Sequence, residues 1–72
     1  MNYTQMEFSS DAIGVDSVLY EYAVDAAGDV EIITENVPFE HFSVELQDAL
    51  IAHANSDLEK RRDAIANFYA IS

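Results

Sequence analysis

The 72-residue chain has no cysteine, no tryptophan, two glycines, one proline and three basic residues against fourteen acidic ones. Without cysteine it holds neither a disulfide framework nor a thiolate metal site, and the redox compartment is left open. Two glycines scarcely allow a phosphate-cradling loop or a dinucleotide fingerprint, and neither motif is present. No apolar run approaches the ~20 residues that span a bilayer. The first seven residues lack the basic and apolar regions of a secretory leader, so the expected location is the cytoplasm. Half the residues are hydrophobic, which argues against disorder despite a net charge of −11. This length allows one small domain, residues 1–72.

The charge is unevenly placed. Residues 1–42 carry nine acids (Glu7, Asp11, Asp16, Glu21, Asp25, Asp29, Glu31, Glu35 and Glu40) and no lysine or arginine. Residues 43–72 carry five acids and all three bases, Lys60, Arg61 and Arg62, so the two parts stand at −9 and −2. A field of this sign repels nucleic acid and anionic membranes and attracts basic protein surfaces. Solubility is the plainer explanation of acidity, but it does not require forty-two residues without a base.

Two runs rich in aromatic and β-branched residues, 18–25 and 30–35, flank Ala26, Ala27 and Gly28. A three-residue loop with glycine last suits a type I turn closed by a left-handed residue, so the segment predicts a β-hairpin. Setting Asp25 opposite Asp29 pairs Val24 with Val30, Ala23 with Glu31, Tyr22 with Ile32, Glu21 with Ile33, Tyr20 with Thr34 and Leu19 with Glu35. Side chains alternate between the faces of a strand. Tyr20, Tyr22, Val24, Val30, Ile32 and Thr34 then form a core face. The opposite face carries the carboxylates of Glu21, Asp25, Asp29, Glu31 and Glu35, with Leu19, Ala23 and Ile33 among them. Residues 3–8 can add a third strand, followed by loop material at Ser9, Ser10, Asp11 and Gly14.

Beyond Pro38 the apolar spacing becomes helical, with Val44, Leu46, Leu50, Ile51 and Ala54 following Ser43. Ser56-Asp57-Leu58-Glu59 has the form of a capping box, which favours a second helix or a bend near Asn55. A single long helix competes, because Val44, Ile51, Leu58 and Ile65 recur every seven residues, although Gln47 and Arg61 leave a coiled-coil seam incomplete. The apolar end, Phe68, Tyr69, Ala70 and Ile71, either packs on the sheet or docks on a partner. The expected fold is therefore α+β: a small antiparallel sheet of two or three strands, followed by one or two C-terminal helices packed on one face.

Chemistry-bearing motifs are sparse. The hairpin acids lie on an open face rather than in the dry cleft that carboxylate catalysis needs, so no catalytic residue is assigned. His53 and Asp57 share a helix face only if that helix continues. No helical histidine pair or calcium-loop spacing accompanies His41 or the acids at 25–31, so no metal site or cofactor is assigned. Lys60, Arg61 and Arg62 fall on different sides of a helix, and Asp57 can pair with Arg61.

The runs 18–24 and 25–33, followed by a helical tail, resemble small acidic proteins encoded by bacteriophages, among them anti-CRISPR and anti-restriction inhibitors. That resemblance implies a compact chain that occupies a host protein's surface, and it carries no residue-by-residue role. The expected function is a non-enzymatic, DNA-mimic-like partner of a basic, nucleic-acid-handling protein. Binding is expected through Glu21, Asp25, Asp29, Glu31, Glu35 and Glu40, without direct contact to nucleic acid or membrane. The alternative is a structural or regulatory module that homodimerises through Ile51, Leu58, Ile65, Phe68, Tyr69 and Ile71.

Overall fold

Asp25 and Gly28 build the turn that organises the sheet. Asp25 Oδ1 accepts hydrogen bonds from the backbone N–H groups of Ala27 (2.9 Å) and Asp29 (3.0 Å). Gly28, at φ +89°, occupies the left-handed region that the loop requires at its third position. The Asp25 N–H donates to the Asp29 carbonyl at 2.9 Å, closing the hairpin in the register anticipated above. The ladder then runs Val24–Val30, Ala23–Glu31, Tyr22–Ile32, Glu21–Ile33 and Tyr20–Thr34.

The structure is a computed structural model that describes the backbone of residues 3–71 and the side chains of residues 3–66. Three antiparallel strands, β1 (Thr4–Ser10), β2 (Val15–Val24) and β3 (Val30–Thr34), stand in the order β1-β2-β3. A 3₁₀ turn (Phe39–His41) and one helix, α1 (Val44–Ile71), follow. The architecture is α+β. β1 extends through Ser9 and Ser10, which the sequence suggested as loop, and the chain turns instead at Asp11 to Gly14. β2 starts at Val15 and carries one extra residue, since Phe8 faces Val18 whereas Ser10 faces Val15.

One face of the sheet receives the helix. Tyr20, Tyr22, Leu50 and Ala54 are buried together, with Met6, Phe8, Val18, Ile32, Phe39, Phe42, Leu46 and Leu58 packed around them. Ser43 caps the helix: its Oγ accepts the Leu46 N–H at 3.2 Å, satisfying one of the free amides of the first turn. Gln47 Nε2 donates back to the Phe42 carbonyl at 2.8 Å and so ties the 3₁₀ turn to the helix start.

The expected break near Asn55 is absent, because α1 passes through Asn55 and Ser56 as one element of 28 residues. Unfavourable helix propensity at those two positions costs only about 0.5–0.7 kcal/mol each. Contacts on either side offset it: Ala54 is buried, Leu58 packs on the core, and Asp57 is held by Tyr22 and Arg61. Leu58 is the last core contact among the described side chains, and every residue from 59 to 66 is exposed. α1 therefore reaches past the sheet. The radius of gyration, 13.7 Å, exceeds the roughly 11 Å expected of a rounded chain of this length, as a projecting helix requires.

Candidate interaction surface on the outer sheet face

From Leu19 to Ala23 the register of β2 places the odd-numbered residues on the face that α1 leaves open. Glu7 lies opposite Leu19, Gln5 opposite Glu21, Glu21 opposite Ile33, and Ala23 opposite Glu31. Leu19 is 66% exposed and Ile33 39%, high values for large apolar residues in a sheet. A shallow depression of about 130 Å³ is lined by Gln5, Leu19, Glu21, Ile33 and Glu35, together with Met6 and Tyr20. It is smaller than the roughly 300 Å³ at which small-molecule pockets begin, and suits a single side chain. A second, open cleft adjoins it and shares Leu19 and Glu35; Val18, Val37 and Phe42 supply apolar walls.

Geometry thus divides the acids named from the sequence. Glu21, Glu31 and Glu35 lie on the outer face, and Glu7 joins them from β1. Glu7 faces Leu19 across one strand spacing of ~4.8 Å; the ladder of β2 and β3 ends at Tyr20–Thr34, and Glu35, just past it, lines the same depression as Leu19. Gln5 Nε2 donates to Glu21 Oε1 at 3.3 Å and orients that carboxylate. Asp25 and Asp29 sit at the hairpin turn, where Asp25 is engaged by backbone amides. Glu40 belongs to the 3₁₀ turn, whose Phe39 packs in the core on the helix side of the sheet, so it stands apart from the outer face. Glu45 and Asp48 lie on α1, which covers the inner face.

Of the residues named for dimerisation, Ile51 (38%) and Ile65 (57%) are exposed, whereas Leu58 packs partly against the core. The side chains of Phe68, Tyr69 and Ile71 lie outside the described residues.

Between sheet and helix runs a polar network that periodicity did not reveal. Tyr20 Oη hydrogen-bonds to His53 Nδ1 at 2.6 Å, and the Tyr22 hydroxyl donates to Asp57 Oδ2 at 2.5 Å. Arg61 Nε donates to the same Asp57 oxygen at 2.8 Å, the one ion pair among the described residues. The edge of one ring meets the face of the other between Phe8 and His53, with centroids 5.2 Å apart. Burial, with the Asp57 and Tyr22 charges adding, pushes the Tyr20 phenol up to about 12. Burial and then the bond to Asp57 raise the Tyr22 phenol as well. Asp57 is held below the usual carboxylate range, first by the Tyr22 hydroxyl and then by Arg61. His53 and Asp57 do share a helix face, but both are committed to tyrosines, and no cluster of metal-ligating side chains occurs among the described residues. Neither depression is lined by His53, Tyr22 or Asp57, so the network faces the core and fixes how the helix sits on the sheet.

No protein-family model, curated protein or solved structure matches this chain. None of its helices is long and apolar enough to cross a membrane among the described residues.

Proposed function

We propose that this protein is a non-enzymatic interaction module that occupies a basic, nucleic-acid-handling surface of a partner protein, in the manner of DNA-mimic inhibitors from bacteriophages. The observation that carries this reading is the outer sheet face, where Glu7, Glu21, Glu31 and Glu35 surround the exposed Leu19 and Ile33. Grooves that bind phosphates are lined by lysine and arginine, and an acidic face competes for them with salt-sensitive affinity. Exposed apolar side chains at its centre add what a chain of phosphates lacks, namely area that excludes water from the surrounding charge pairs. The partner that fits best presents cationic side chains around an aliphatic or aromatic one.

Affinity capture from a bacterial lysate at low salt, with elution by rising salt, gives the partner. The captured protein should lose nucleic-acid binding when the wild-type chain is added. Glu31→Lys/Glu35→Lys should weaken the complex more than about tenfold, or ~1.4 kcal/mol. Equal capture by that double variant, or binding indifferent to salt, removes the reading.

A further inference from the structure

α1 presents a second apolar row that the sheet reaches only at Leu58, which packs partly against the core. Val44 is 72% exposed, Ile51 38% and Ile65 57%; with Leu58 they recur every seven residues. At roughly 100° of rotation per residue, this row lies about a third of a turn around the helix from the row of Leu46, Leu50, His53 and Asp57 that meets the sheet. Seven-residue spacing keeps such a row aligned with a second helix along its whole length. It continues onto the segment that projects past the sheet, where a partner helix meets no obstruction.

Charge along the same flank specifies the partner. Asp48, Asn55 and Arg62 are also spaced by seven, lie beside the apolar row and are exposed. Arg62 makes no ion pair among the described residues. Two copies of α1 in opposite directions, with Asn55 at the twofold axis, place Asp48 of each copy against Arg62 of the other. The same alignment sets Ile51 beside Leu58 and Val44 beside Ile65 of the opposite copy. A parallel pair would instead face Asp48 with Asp48 and Arg62 with Arg62. The strongly acidic strands cannot supply a like-with-like contact, whereas residues 43–72 are at only −2.

We propose that the protein forms an antiparallel homodimer through the Val44–Ile51–Leu58–Ile65 row of α1, registered by Asn55 at the axis and by reciprocal Asp48–Arg62 pairs. The dimer leaves both outer sheet faces open, so it stands or falls independently of the partner proposed above.

The test uses the purified full-length chain, without any partner, at about 150 mM salt to screen net repulsion. Sedimentation equilibrium should show a reversible dimer. Asp48→Arg and Arg62→Asp should each raise its dissociation constant roughly tenfold, and the two changes combined should restore it to within about threefold. The chain lacks cysteine, so introduced thiols report direction. Asn55→Cys should oxidise to a disulfide dimer, and Val44→Cys should cross-link to Ile65→Cys in a mixture but not to itself. Ile65→Lys, at an exposed position, should give a monomer whose melting temperature equals that of the wild type at dilutions where the wild type is also monomeric. A wild-type monomer at ~100 μM, no rescue by the double charge exchange, or cross-linking of Val44→Cys to itself overturns the proposal.

Discussion

Asp57 accepts from a tyrosine of the central strand and from an arginine one turn ahead on its own helix. Removing one partner of such a group costs more than removing the pair, because the remaining donors lose their acceptor. Asp57→Ala should therefore destabilise the fold by about 2 kcal/mol, and Tyr22→Phe by about 1 kcal/mol, in urea unfolding followed by circular dichroism. The pH dependence follows from the shifts. Asp57 is more acidic folded than unfolded, so its contribution is complete above the ordinary carboxylate value and is lost as pH falls through its lower folded value. Tyr20 is less acidic folded, so its contribution is complete below pH ~10 and is lost as pH rises towards about 12. Thermal melts across both ranges should show stability falling at each end. In Tyr20→Phe the alkaline loss should shrink while the acid loss persists. Leu19 poses the opposite case: at 66% exposure, Leu19→Ala should shift stability by no more than about 0.5 kcal/mol. Partner binding should nevertheless weaken by about 1–2 kcal/mol in calorimetry, because the truncated side chain lies at the centre of the proposed contact.

At the scale of elements, the hairpin was legible because its information is local. Asp25 and Gly28 set the turn, and the turn sets the register that sorts Tyr20 and Tyr22 inward and Glu21, Glu31 and Glu35 outward. Gly28→Ala should destabilise by about 1 kcal/mol or more, since it places a side chain in the left-handed region, and a urea midpoint shift checks this. Other features depend on distant contacts and could not be read from neighbours. Ser56 has the pattern of a helix start, yet the chain stays helical there because Asp57 is held by Tyr22, thirty-five positions away. Glu7 joins the acidic face only through the pairing of β1 with β2, whose register shifts at an extra residue beyond Val18. The Tyr20–His53 bond escaped for a similar reason: spacing places His53 on the inward face of the helix but does not say what it meets.

For the whole molecule, the ratio of charge to core governs behaviour. Among the described residues five are buried, Tyr20, Tyr22, Ala23, Leu50 and Ala54, against a net charge of −11. Self-repulsion is therefore a considerable fraction of a small stability, and salt should relieve it. The melting temperature should rise between about 10 and 150 mM sodium chloride, a change that a fold dominated by attractive ion pairs would reverse. The acids crowd the strands, while all three cations sit on the arm of α1 beyond the sheet. Such separation gives the protein a permanent electric moment, with its negative pole towards the strands and its positive end on the projecting arm. Near a cationic surface it experiences a torque before any atoms touch, and the collision is aligned strands first. Fewer encounters are then wasted on the wrong orientation, an advantage that fades once the approach distance exceeds the ~8 Å reach of charge in physiological salt.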